Sequence, residues 1–163
     1  MRARRFFLLG FLFLLAGANL VLGQRLESGG YPVYNFTPKT YAALDQNWCA
    51  VQDFRGIMYF GNTKGVLEYD GSNWVLLAST DGAPVHSLAV DENGRLFFGS
   101  VGKFGYMYPD SLGLLVPFLL SDLLEEGSSN FGEIWETHVT PQGIIFQSYN
   151  DIFIWQSDSL ITI

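Results

Sequence analysis

The chain has one cysteine, Cys49, and two histidines, His86 and His138, among its 163 residues. A single cysteine excludes an internal disulfide, and Cys49 lies too far past the N-terminal apolar run to be a lipid-attachment site. It reads as a small buried hydrophobe, since a nucleophilic role needs a neighbouring base that the sequence does not suggest. The two histidines lack partners at metal-ligand spacing. Basic residues are equally scarce: nine Lys and Arg against sixteen Asp and Glu give a formal charge of −7, and three of the arginines lie within the first five residues. Without a basic cluster elsewhere, nucleic acid is not an expected partner. Neither a Gly-x-Ser-x-Gly elbow nor a carboxylate pair stands out, so the chain predicts no catalytic residue, no metal and no cofactor.

Two apparent motifs fail on inspection. Gly99 to Phe104 resembles the end of a phosphate-binding loop, but Phe97 stands where the first glycine belongs, and Phe104 follows Lys103 where Ser or Thr is needed. Asp91-Glu92-Asn93-Gly94 opens like a calcium loop, yet its twelfth position is Gly102 rather than a bidentate Glu.

Apolar residues, by contrast, are abundant. Three arginines by Arg5, an apolar run from Phe6 to Leu22, and small residues at Ala16 to Ala18 and Gly23 predict a secretory signal peptide over 1–23. Cleavage is expected near Gly23, with Ala16 to Ala18 as the alternative site. The run is at the short limit for crossing a bilayer, so retention as an anchor stays open. Cleavage would take the formal charge to −10, a balance that disfavours anionic membrane surfaces. Export to the periplasmic side of the inner membrane follows, with the membrane met only through this segment or through a span further along.

Beyond residue 47 the same spelling occurs three times. VQDFRGIMYFGN, AVDENGRLFFGS and HVTPQGIIFQSY align on Gly56, Gly94 and Gly143, with Tyr59, Phe97 and Phe146 three places later. The glycines are 38 and 49 residues apart, so about eleven residues are inserted between the second and third units. A period near 40, dense in glycine and aromatics, marks a β-propeller blade and is incompatible with two-helix repeats. The fold class is therefore all-β: an incomplete propeller of about three four-stranded antiparallel blades after a signal peptide. The expected layout is a lead-in segment or linker over 24–47, extended in character; a first blade over 48–83; a second over 84–118; an inter-blade loop over 119–133; and a third blade over 134–163. Within that loop Ser121-Asp122 is expected to cap a helical turn through Glu126, ended by Gly127. Both faces of each blade are expected to be buried, given strands that are apolar almost throughout.

Eight residues before each turn glycine stand Trp48, His86 and Trp135. The first strand of a blade lines the propeller's central channel, so these rings should gather at one mouth. They either plug the gaps between blades or form a stacking surface for a small extracellular ligand, sugars included. They are the candidate ligand-binding residues.

The QNW, QD-x-x-G, MYFGN, GVLEYDG and GKFGY segments resemble the two-component-regulator propeller proteins of the Bacteroidetes, a group that often carries a triple-tyrosine domain after the propeller, and the resemblance covers about Tyr34 to Trp155. The resemblance implies an exported sensor joined through a transmembrane helix to a cytoplasmic output such as a histidine kinase, cyclase, phosphatase or DNA-binding domain. The chain departs from that pattern in having about three blades, where closure needs roughly four to eight, and no triple-tyrosine module, second span or output. It is expected to be the leading part of a longer protein, or else a remnant that must associate. Its exposed end blades would meet the remaining blades of the same chain or a second copy. Two functions stand side by side: a sensor for a small molecule or glycan, and a protein-interaction scaffold without such a ligand.

Overall fold

The computed structural model describes residues 30–77, 82–125 and 130–163. The signal segment, residues 24–29 of the lead-in, and Glu126 and Gly127 lie outside them. Among the described residues no helix is long and apolar enough to cross a membrane. Residues 30–35 form no regular secondary structure and are exposed, and the chain from Phe36 to Ile163 makes a unit of its own.

That unit is three successive blades of a β-propeller. The first sheet holds β1 (Asn47–Gln52), β2 (Met58–Asn62), β3 (Gly65–Tyr69) and β4 (Trp74–Leu77). The second holds β5 (Val85–Val90), β6 (Leu96–Ser100), β7 (Phe104–Pro109) and β8 (Leu115–Leu119). The third holds β9 (Glu136–Thr140), β10 (Gly143–Gln147), β11 (Ile152–Gln156) and β12 (Ser159–Thr162). Each is an antiparallel meander in sequence order, and the innermost strands β1, β5 and β9 are neighbours.

The first hairpin of each blade turns on the aligned glycine, which has φ of 86°, 80° and 125° at Gly56, Gly94 and Gly143. Positive φ is close to free for glycine and costly for other residues. The same three turns share a second device. Three residues before the glycine, an Asp or Thr oxygen accepts backbone N–H groups inside the turn: Asp53 from Arg55 and Ile57, Asp91 from Asn93 and Arg95, Thr140 from Gln142. Such local bonds satisfy donors that the tight turn would strand.

Two apolar cores lie between the sheets. Tyr59, Val66, Val85, Leu88, Phe98 and Met107 fill the first interface. Phe97, Phe104, Ile134, Ile144, Phe146 and Phe153 fill the second. Among the described residues only the middle sheet is covered on both faces, and β5 and β6 are buried almost residue by residue. The expectation of two buried faces is thus corrected for the outer sheets, where burial alternates along β1 and β10 because one face has no neighbour within the described residues.

Two local expectations also change. The lead-in is not wholly extended: Pro38–Tyr41 form a single helical turn, α1, which begins on proline and ends at Ala42 in the left-handed region. Tyr41 and Phe36 pack their rings on Trp74 of β4, at 5.4 and 5.3 Å between centroids. Buried Asn62 fixes the rest of the lead-in by donating to the carbonyls of Leu44 and Gln46 and accepting from the Leu44 N–H. In the inter-blade loop, the helical turn is a 3-10 turn over Leu120–Leu123, one residue earlier than expected and without a side-chain cap. Burial of Leu120 and Ser121 draws the turn inward, so Ser121 cannot act as an exposed cap.

Candidate functional site

The three rings singled out by their spacing do meet. His86 stacks on Trp135 with centroids 4.5 Å apart and planes 6° from parallel, while Trp48 stands edge-on to His86 at 4.5 Å and to Trp135 at 6.2 Å. Tyr149 extends the cluster, edge-on to Trp135 at 6.1 Å. Each ring comes from a different blade, at the start of its innermost strand or, for Trp135, one residue ahead of β9.

The backbone explains how side chains so large fit there. In β1 the register slips between Asn47 and Cys49, and in β5 between Val85 and Ser87, so Trp48 and His86 are each the extra residue of a β-bulge. A bulge re-aims its side chain and sharpens the local twist, here turning both rings toward the third blade. Opposite each bulge sits a glycine. A Cβ on Gly61 would come 2.6 Å from both Cys49 Sγ and the Val85 carbonyl oxygen, and one on Gly99 would overlap Ser87 Oγ and the Ile134 side chain. Neighbouring inner strands can approach only because these positions carry no side chain.

Below the rings lies a groove of about 290 Å³ lined by Trp48, Cys49, His86, Ser87, Trp135, Glu136 and Thr137. Ser87 and Thr137 close its floor through a 2.7 Å hydroxyl–hydroxyl hydrogen bond between the second and third blades. Trp48 is 39% exposed and its indole N–H donates to Thr63 Oγ1, whereas His86 is only 7% exposed. His86 Nδ1 and Trp135 Nε1 are buried and have no hydrogen-bond partner among the described residues. Such atoms carry a desolvation cost until something bonds to them. Burial also pulls the His86 imidazole below its ordinary pKa, against an opposing attraction from Glu133, so the ring is neutral at pH 7. Burial pushes the Cys49 thiol up to about 11, partly offset by a hydrogen bond with the Gly61 backbone, and the thiol is therefore not a nucleophile near neutrality.

The other residues considered from the sequence have structural places. Gly99 to Phe104 connects two strands, with Ser100 Oγ donating to the Pro84 carbonyl. Asp91 serves its own turn. His138 lies 3.8 Å from Glu136 on the open face of β9. Among the described residues no group of three His, Cys, Asp or Glu side chains is placed to hold a metal. Sequence reasoning missed the Ser87–Thr137 pair, although Ser87 follows the ring position His86 by one residue and Thr137 follows Trp135 by two.

No protein-family model matches the chain, and no curated protein matches it. Solved structures of similar shape exist. Two are the extracellular domain of BT4673 from B. thetaiotaomicron, described as a one-component system in one structure and as a hybrid two-component system in the other. Each is 15% identical to this chain over 72% of its residues, with a TM-score of 0.48. The chain spans 15% of the length of those chains.

Proposed function

We propose that these three blades form the ligand-receiving part of an exported sensor, and that the Trp48–His86–Trp135 mouth takes a neutral sugar unit. The supporting observation is the pair of buried, unpartnered nitrogens, His86 Nδ1 and Trp135 Nε1, within two of the rings that border a groove of about 290 Å³. A carbohydrate brings what this arrangement lacks. Its hydroxyls accept from an indole N–H and either donate to or accept from an imidazole, and its C–H faces lie on aromatic rings. The groove is at the lower end of small-molecule sites in size, which suits one terminal unit of an oligosaccharide. Glu136 on its rim disfavours anionic sugars.

In this reading sugar binding bridges three blades and favours one of two arrangements of a receptor on the periplasmic side of the inner membrane. The test is tryptophan fluorescence during titration with neutral gluco-, xylo- and manno-oligosaccharides. A saturable change that disappears in Trp48→Ala and Trp135→Ala supports the reading. A change that persists in both variants removes the mouth as the site, and the absence of any change leaves the interaction scaffold as the better description.

A further inference from the structure

The two blade interfaces are built differently. Leu120, Leu124 and Phe131 of the inter-blade segment enter the second core beside Trp155 and Leu160, whereas among the described residues no inter-blade segment contributes to the first core. A cleft of about 850 Å³ lies at the first interface, lined by Ile57, Leu96 and Met107, with Phe54 74% exposed beside them. Size alone does not make that cleft selective. Its Arg55 is neutralised by Asp53, and none of the buried polar atoms without a partner lines it. Two of those atoms, His86 Nδ1 and Trp135 Nε1, belong to the mouth, and there the surroundings of Trp135 extend the site.

In every blade a two-residue turn joins the second and third strands: Thr63-Lys64, Val101-Gly102 and Tyr149-Asn150. Each follows a buried polar residue, Asn62, Ser100 or Ser148. Thr63, Val101 and Tyr149 therefore hold equivalent places, and two of them touch the ring of their own blade. Thr63 accepts the Trp48 indole N–H, while Tyr149 stands edge-on to Trp135 at 6.1 Å. Val101 instead bridges to Glu133 through the backbone. Only Tyr149 adds an aromatic surface, and it is 83% exposed. We propose that Tyr149 is a second sugar subsite, so that the groove holds a terminal neutral unit and Tyr149 the unit linked to it; this rests on the reading of the mouth as a sugar groove.

The ring is positioned before any ligand arrives. Ser148 Oγ accepts the N–H groups of Asn150 and Asp151 at 3.3 and 3.0 Å, and the Ser148 N–H donates to the Asp151 carbonyl at 2.9 Å. A braced turn loses little freedom on binding, and tyrosine offers a broad flat face with few torsions to freeze. Trp135 is common to both subsites. It borders the groove and meets Tyr149, so a sugar chain leaving the groove past Trp135 comes next to the tyrosine ring. The mouth then reads chain length as well as the terminal unit.

The experiment is isothermal titration of the full chain with glucose, xylose and mannose, and with cellobiose, xylobiose and mannobiose. In a series that binds, the disaccharide should bind roughly three- to tenfold more tightly than its monosaccharide, the range expected for one added aromatic contact. Tyr149→Ala should abolish that gain and leave monosaccharide affinity unchanged, Tyr149→Phe should keep the gain, and Trp135→Ala should weaken both sugars. Because Tyr149 is exposed, an unchanged circular-dichroism spectrum would show that the alanine variant is folded. Equal affinity for the two sugars, a gain that survives Tyr149→Ala, or an equal loss of both sugars in that variant would overturn the subsite and leave the groove standing. Failure of every one of these sugars to bind would remove the subsite and the groove together.

Discussion

The imidazole of His86 lies flat against the indole of Trp135, 4.5 Å between centroids, although the two residues belong to different blades and are 49 positions apart in sequence. The contact joins the second and third blades at their innermost point. It also places a titratable ring where charging it would be costly.

Folding stability should therefore depend on pH through His86. Its folded pKa is depressed, so the unfolded chain takes up the proton first as pH falls. The stabilisation is present above the unfolded value of about 6.5 and is lost as pH drops toward the folded value. Urea unfolding at pH 7.5, 6.5 and 5.5 should show falling stability, and His86→Asn should flatten the decline between the first and last of these. An identical pH profile for the variant would show that the imidazole is not the group responsible.

A different acid response should come from Asp53. Burial works against its charge, but the Arg55 guanidinium and the backbone N–H groups of Ile57 and Arg55 more than offset this and hold its carboxyl below the usual value. Its contribution is present above about pH 3.9 and declines as pH falls through the folded value. Asp53→Ala removes the buried acceptor of the exposed Arg55 guanidinium and of two turn donors, and should cost about 3 kcal/mol at pH 7. Asp110 accepts two N–H groups in an exposed turn, so Asp110→Ala should cost about 1 kcal/mol. Denaturant midpoints for the two variants would settle the order.

The glycines divide into two kinds that one substitution tells apart. Gly71→Ala meets open space and pays only for φ of 96°, about 1 kcal/mol. At Gly61 the φ is unrestricted, yet a Cβ would press on the Val85 backbone of the next blade, so Gly61→Ala should cost about 1 to 3 kcal/mol and loosen the first interface. Near-ultraviolet circular dichroism of the mouth tryptophans should change only in Gly61→Ala.

Phe131 tests whether the inter-blade segment is core. It is 4% exposed and meets Phe104 and Phe153 edge-on at 5.4 and 5.0 Å. Phe131→Ala should lose about 3 to 5 kcal/mol, whereas Phe54→Ala, in the open cleft, should lose about 0.5 kcal/mol or less. Comparable losses in the two variants would contradict the difference drawn between the interfaces.

The blade pattern was legible because a glycine with positive φ leaves the same mark in every copy, and Gly56, Gly94 and Gly143 carry it. The meeting of Trp48, His86 and Trp135 followed from their equal offset from those glycines. The bulges that aim two of these rings were not legible, because a bulge is a mismatch between paired strands and neither strand records it alone. The loop helix was misplaced for a related reason. Ser121-Asp122 is a good cap by local chemistry, but Leu120 is fully buried in the second core and sets where the turn must lie. In α1 the local signal was present, a threonine followed by proline, and the surrounding glycines and prolines obscured it.

Glycine opposite each bulge, and a longer or shorter segment between sheets, give nearly identical modules different fates. Where the segment between blades is long, its leucines and phenylalanine become interior and the interface is a solid joint. At the first joint the same geometry leaves a wedge, and the residues that would have been interior become a surface available to other molecules. In a repeat protein of this design a cavity need not be carved by new side chains; the spacing between modules is enough to decide which joint is masonry and which is a doorway.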